Sequence, residues 1–221
     1  MQFQLTYFNG RGLAETSRIL FALAQIDYND YRYPLEVIDW ASHNMRKEEF
    51  DEDKNAGKLV DSMNKLPRLE VFQENQKNVV LFQSKAIERF LATEFDFMGA
   101  NNIDRCKIDA ICETVRDFKT DYQVVRKKDN KEVAMQTWFG ETLPVKLGLL
   151  ENVLQDDNFA VGEKLSLADV TLYAFCVDFF DDKKGMEFSL RACPKIRGIV
   201  QKMSENELLQ SWVEKRQNTP F

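Results

Sequence analysis

The chain has 221 residues, 44% hydrophobic and 30% charged, with a formal net charge of −6 at pH 7. This composition fits one or two folded domains, excludes extended disorder and argues against a basic phosphate-binding surface, so nucleic acid is not an expected partner. The longest apolar run, Ile19 to Ala24, is far too short for a membrane span, and no basic segment precedes an apolar one at the N-terminus. Neither a membrane nor a secretory route is expected, and a cytoplasmic location is. There is one histidine, His43, and the four cysteines (Cys106, Cys112, Cys176, Cys193) match no metal-ligand spacing. The expectation is therefore no metal, no disulfide framework and no histidine-based triad, with the cysteines serving as small buried side chains.

Phe3, Leu5 and Tyr7 alternate with Gln4 and Thr6, the period of a half-buried strand. Gly10-Arg11-Gly12 ends it, and Leu13 to Ala24 has a helical period with Ile19, Leu20 and Leu23 on its inner face. Asp30 to Tyr33 reads as a second short strand stopped by Pro34. The charge-dense stretch from Asp39 to Met63 reads as a solvated loop or loose helix. Leu69 to Phe72 and Val79 to Phe82 flank the polar turn Glu74 to Asn78, a hairpin pattern. Ser84 then opens a helix with Ala86, Ile87, Phe90 and Leu91 on one face. The order β-α-β, connection, β-β-α predicts an α/β domain, a small mixed sheet with helices, over residues 1–94.

Residues 95–102 form the expected linker. Ile108, Ile111, Cys112, Val115, Phe118 and Tyr122 then recur at three- and four-residue steps, the mark of a long amphipathic helix. Trp138, Leu143, Leu147, Leu150 and Leu154 mark a second, kinked at Pro144. Leu167 to Phe180 is apolar nearly throughout and therefore central, and Ile196 to Met203 and Leu208 to Trp212 suggest two more. Residues 103–221 read as all helical.

Three places offer chemistry. The Tyr7 hydroxyl stands at the end of the first strand, where α/β sheets place ligands, although a packed core tyrosine sharing a face with Phe3 and Leu5 is the plainer reading of the residue by itself. Leu66-Pro67 either starts an edge strand or forms a cis peptide that leaves the Leu66 backbone to pair with an extended ligand. Gln83-Ser84, at a strand-to-helix junction, is either a plain cap or a carboxylate site built from helix N–H groups and the Ser84 hydroxyl. Ser166-Leu167-Ala168-Asp169 is a capping box, read as structural. Gly10-x-Gly12 lacks the third glycine of a dinucleotide fingerprint.

Together these stretches resemble the cytosolic glutathione transferases, most closely the sigma-like class that includes the glutathione-dependent prostaglandin D synthases. The resemblance rests on Leu5-Thr6-Tyr7-Phe8-Asn9-Gly10-Arg11-Gly12-Leu13-Ala14-Glu15, Lys65-Leu66-Pro67-Arg68-Leu69-Glu70-Val71, Gln83-Ser84-Lys85-Ala86-Ile87, Asp109-Ala110-Ile111 and the capping box. It implies a thioredoxin-like glutathione-binding domain (1–94) followed by an all-helical domain shaping a hydrophobic-substrate site (103–221). It further implies Tyr7 as the catalytic hydroxyl and Phe8, Trp40, Asn44, Lys65, Leu66, Pro67, Gln83 and Ser84 around glutathione. Asp117 would reach the glutathione of a partner subunit, which implies a homodimer. No permanently bound cofactor is implied; glutathione is the cosubstrate and a small hydrophobic electrophile the second substrate.

The absence of any cysteine in the first 105 residues fits a protein whose sulfur arrives with its cosubstrate, and it argues against a thioredoxin-type thiol oxidoreductase. Some positions depart from the pattern. Leu13 stands where the prostaglandin synthases carry an arginine, Asn44 replaces a lysine, with Lys65 or His43 expected to compensate, and Val124 replaces a tryptophan of the hydrophobic pocket. The stretch from Arg46 to Asn64 is longer than in those enzymes, and Phe221 is expected near the hydrophobic pocket. Two alternatives stand beside conjugation: a glutathione-dependent isomerase of prostaglandin-type endoperoxides, and a non-catalytic protein of the same fold that binds apolar ligands.

Overall fold

Strand β1 (Gln2–Phe8) pairs on both sides, parallel to β2 (Asn29–Tyr33) and antiparallel to β5 (Arg68–Phe72), which pairs in turn with β6 (Val79–Phe82). The sheet is mixed, in the order β2-β1-β5-β6. The computed structural model describes residues 1–39, 44–74, 77–155 and 159–219. Two compact units emerge, Met1–Leu91 joined by the segment from Ser211 onward, and Ala92–Gln210. The last segment thus belongs with the first unit, whereas the sequence left it in the helical half.

In the first unit, a 3-10 turn (Gly12–Ala14) leads into α1 (Glu15–Ala24), whose Ile19, Leu20 and Phe21 are wholly buried as the periodicity requires. Phe21 meets Phe3 of β1 at a ring separation of 5.5 Å. Buried with them, and not anticipated, are Glu15 and Arg18.

The charged stretch after β2 is more ordered than its composition suggested. It holds a two-stranded antiparallel hairpin, β3 (Glu36–Asp39) with β4 (Asn44–Arg46), then α2 (Glu48–Asn55) and a 3-10 turn (Val60–Ser62). One aromatic anchors it: Phe50 is buried with Tyr33 and Leu59, against Phe8 and Leu66. Polar ties reinforce that anchor, Tyr33 to Asp53 at 2.8 Å, Lys58 to Asp53 at 2.6 Å and Arg68 to Asp61 at 2.7 Å. The hairpin of β5 and β6 has Leu69 opposite Leu81; residues 75 and 76 of its turn lie outside the described residues. In α3 (Ser84–Glu94), Ile87 and Leu91 are buried, but Ala86 faces outward and Glu88 takes the inward position, its charge met by Lys85 at 2.7 Å.

In the second unit, α4 (Asn102–Val125) starts at Asn101, whose side chain caps the Ile103 and Asp104 amides, and buries all six predicted residues. The kinked helix expected around Pro144 is α5 (Lys131–Thr137), a π turn (Trp138–Thr142) and α6 (Leu143–Val153). Pro144 has no N–H for the Gly140 carbonyl, and the Leu143 N–H reaches back five residues to Trp138, so the break in the ladder is absorbed as a π turn. Helix α7 (Leu167–Tyr173) is buried throughout. Its capping box forms as read: the Ser166 N–H and hydroxyl donate to Asp169 at 2.8 and 2.7 Å, and the Ala160 N–H adds a third bond at 2.7 Å. A second π turn (Ala174–Asp178) precedes α8 (Lys183–Ser189) and α9 (Pro194–Ser204), and α10 (Glu207–Lys215) runs on into the segment that belongs with the first unit.

Helix α8 was not anticipated; its sign is the Asp182 cap on the Gly185 amide. Cys112, Cys176 and Cys193 are buried, but Cys106 is exposed, because it lies on the outward side of α4 from Ile108 and Cys112. Among the described residues no helix is long and apolar enough to cross a membrane.

Candidate active site

Strand register brings the predicted residues of three separate segments to one end of the sheet. The β1–β5 ladder ends at Thr6 opposite Arg68, and the β5–β6 ladder at Arg68 opposite Phe82. One residue further, Tyr7, Pro67 and Gln83 stand level with one another. The chain reverses there after β1 through bonds from the Asn9 N–H to the Tyr33 carbonyl and from the Gly10 N–H to the Phe8 carbonyl, each 2.8 Å.

The Tyr7 hydroxyl accepts the Leu13 N–H at 3.1 Å. That amide belongs to the first turn after the loop, where N–H groups have no helical partner. Gly12 makes the contact feasible: its φ is +38°, and a Cβ there would lie 2.6 Å from the Tyr7 oxygen. The Arg18 guanidinium stands 6.0 Å from the ring centroid. Burial raises the Tyr7 pKa, with the Leu13 amide and the Arg18 charge pulling the other way. The group therefore remains a phenol at neutral pH. With its oxygen already accepting from Leu13, the proton is what it offers a ligand.

The Leu66–Pro67 peptide is cis, and β5 begins only at Arg68. Leu66 packs with Phe8 against the Tyr33–Phe50–Leu59 cluster, so the long segment after β4 supports this edge of the site. Phe8 meets Phe50 with tilted rings at 5.1 Å and Tyr7 edge-on at 5.6 Å. Gln83 has a φ of 72°, left-handed for a residue with a side chain. Such backbone costs about 1–2 kcal/mol and tends to persist at ligand clamps. Gln83 also caps α3 through its carbonyl, which accepts the Ile87 N–H at 3.0 Å. The first-turn amides beginning at Ser84 thus face the same end of the sheet as Tyr7.

Lys65 is exposed just before this cluster. Asp117 is exposed on α4, in the second unit. Trp40, His43 and Phe221 lie outside the described residues, and Asn44 is described only as the first residue of β4. Sequence reasoning treated Gly12, Leu13 and Arg18 as a loop end, a departure and a helix residue, yet these are what hold Tyr7. The available signals were an arginine inside an apolar helical run and a glycine five residues beyond the tyrosine. No group of acidic, histidine and cysteine side chains among the described residues could hold a metal. A hydroxyl donor, a row of amides for a carboxylate and a backbone edge suit an extended peptide-like molecule that carries an acidic proton.

The chain is similar to known proteins along its whole length. Residues 116–216 match the family model of the glutathione S-transferase C-terminal domain. Glutathione S-transferase S1 of Drosophila melanogaster is 31% identical, over 97% of this chain and 78% of that protein. Hematopoietic prostaglandin D synthase of Gallus gallus is 30% identical over 98% of both chains, and S-crystallin SL11 of Nototodarus sloanii 29% identical over 99% and 98%. Among solved structures, the monomeric glutathione S-transferase Na-GST-3 of Necator americanus covers all of both chains with a TM-score of 0.81 at 27% identity.

Proposed function

Because the chain belongs to the glutathione S-transferase family, we propose that it ionises the thiol of glutathione and adds the sulfur to small hydrophobic electrophiles in the cytoplasm. The observation that carries this reading is the Tyr7 hydroxyl, kept protonated by burial and fixed by the Leu13 amide so that its proton is free to donate. A free thiol of pKa about 8.5 is only about 3% ionised at pH 7. A hydrogen bond to a charged group contributes roughly 1.5–3 kcal/mol, and one pKa unit is about 1.4 kcal/mol, so one such bond lowers the thiol pKa by roughly one to two units. About a quarter to three-quarters of the bound thiol is then thiolate. The thiolate attacks the electrophilic carbon, a C–S bond forms, the leaving group departs with its electron pair, and the thiol proton goes to solvent.

In this reading Leu66 and Pro67 flank the cysteinyl backbone of glutathione, and Gln83 and Ser84 hold the γ-glutamyl carboxylate and amine. Trp40, Asn44 and Lys65 lie at the glycyl end and Phe8 backs the site. Asp117 reaches the glutathione of a partner subunit in a homodimer. The test is turnover of an aryl halide with glutathione, comparing the natural chain with Tyr7→Phe. Loss of roughly tenfold or more supports the reading, and equal rates or an inactive natural chain sink it.

Two further readings have support of their own. The prostaglandin D synthase relative favours an endoperoxide isomerase, against which stand Leu13 and Val124, both more than half exposed, where those enzymes carry an arginine and a tryptophan. The S-crystallin relatives, whose name states no reaction, favour a non-catalytic apolar-ligand protein. Binding of hydrophobic dyes without conjugation would identify it.

A further inference from the structure

A buried ionic cluster lies behind Tyr7. Arg18 is completely buried, and its Nη1 donates to the Gly10 carbonyl at 2.6 Å. Its Nε meets Asp30 at 3.2 Å, and Nη1 stands 3.5 Å from one oxygen of Glu15. The remaining nitrogen, Nη2, has no hydrogen-bond partner among the described residues. An arginine that leaves a donor unsatisfied in the interior is placed by what its other nitrogens must hold, and here that is a loop carbonyl two residues before Gly12. The loop is thus gripped from two sides, by Arg18 at Gly10 and by the Tyr7 hydroxyl at Leu13.

Glu15 is itself oriented from far along the chain. Its second oxygen accepts from the Trp212 indole N–H at 2.9 Å and from Arg216 at 2.8 Å. Trp212 and Arg216 are one helical turn apart, so both donors converge on one buried carboxylate oxygen. Asp30 is held in turn by Arg32 at 2.6 Å. The charged and titratable groups around Arg18 are therefore Glu15 on its own helix, Tyr7 on β1, Tyr28, Asp30 and Arg32 at β2, and Arg216 in the final segment.

We propose that Glu15 and Arg18 are positioning residues for Tyr7, and that Trp212 and Arg216 lock them, so that the final segment of the chain sets how well the Tyr7 hydroxyl meets the glutathione sulfur. The proposal rests on the reading of Tyr7 as the thiol-ionising group. If the two tail donors are lost, Glu15 turns toward Arg18. The guanidinium then redistributes between its two carboxylates, and the Gly10 carbonyl loses its donor. The loop carrying Leu13 relaxes and the hydroxyl moves with it.

The full-length protein tests this with Trp212→Phe, which keeps the ring and removes one N–H, with Arg216→Met and Arg216→Lys, and with Tyr7→Phe as reference. Ultraviolet absorbance of the thiolate of enzyme-bound glutathione is followed against pH, alongside kcat, KM for glutathione and thermal unfolding. The proposal expects Trp212→Phe and Arg216→Met to raise the midpoint of thiolate formation by about half a unit to one unit, a loss of thiolate near neutrality of roughly 1.5- to eightfold. The fall in kcat should match, KM should stay within about twofold, and Arg216→Lys should recover most of the loss. Folded variants whose thiolate midpoint is unchanged overturn it, even if their unfolding temperature falls, since that is a purely structural role. If Tyr7→Phe also leaves the midpoint unchanged, the reading of Tyr7 fails as well; if only Tyr7→Phe moves it, the tail proposal alone is wrong.

Discussion

Gly12→Ala is the sharpest single perturbation of the site, because two separate penalties meet at one backbone atom. An added Cβ would lie 2.6 Å from the Tyr7 oxygen and 3.0 and 3.2 Å from its ring carbons, where ordinary contact begins at 3.4 Å. Relief requires the phenol tip to withdraw by about 0.8 Å, which takes it out of reach of the Leu13 amide, now 3.1 Å away. That lost bond is worth about 0.5–1.5 kcal/mol. The φ of +38° adds about 1–2 kcal/mol for a residue with a Cβ. The predicted loss of stability is therefore about 2–3 kcal/mol. If the hydroxyl also leaves the sulfur, the thiolate fraction falls roughly ten- to twentyfold, close to that of Tyr7→Phe.

Gly57→Ala is the control: its φ is +75°, but the nearest atom to a Cβ is 3.9 Å away. It should lose only the backbone share, about 1–2 kcal/mol of stability, and no activity. The assay is denaturant unfolding together with aryl-halide conjugation for both variants and for the Gly12→Ala, Tyr7→Phe double mutant, whose activity should match Tyr7→Phe alone. Full conjugation by Gly12→Ala with an unshifted thiol titration would refute the account of how Tyr7 is held.

Phe50→Ala should destabilise the protein by about 3–5 kcal/mol, since it empties the contact among Tyr33, Leu59, Phe8 and Leu66. It should also raise the KM for glutathione by loosening Leu66; an unchanged KM in a folded variant would separate the long segment from the site. Burial raises the phenol pKa values of Tyr7 and Tyr28 above the usual 10. The native state therefore keeps protons that the unfolded chain releases near pH 10, and by linkage this stabilisation is full below that pH and is lost as pH rises through the higher native values. Conjugation should accordingly rise with pH through thiol ionisation and show no decline from Tyr7 until above pH 10; a pH titration of rate and of phenolate absorbance that finds a functional tyrosine ionising earlier contradicts it.

Much of this architecture was legible because its determinants are periodic and local. The alternation through Tyr7, the three- and four-residue steps from Ile108 to Tyr122 and the Ser166–Asp169 capping box each express one element's own needs. The misses share another cause, pairing with something distant. The stretch from Asp39 to Met63 reads as a solvated loop or loose helix because its anchor is the single residue Phe50, in α2, meeting Tyr33. Glu88 and Arg18 are buried against their type because their counter-charges lie beside them in space. The placement of Trp212 and Arg216 at Glu15 bridges almost the whole length of the chain, a relation no local pattern carries. At the site, the residue types at Tyr7, Pro67 and Gln83 were visible as candidates, but only strand register puts them level.

The central claim is that one protonated tyrosine hydroxyl ionises the sulfur of the cosubstrate. Its most direct test is a pH titration of the thiolate absorbance of glutathione bound to the natural chain and to Tyr7→Phe. The account predicts a midpoint roughly one to two units below that of free glutathione in the natural chain and a return toward the free value in the variant. Identical midpoints in the two proteins, or a natural chain that binds glutathione without shifting it, would contradict it.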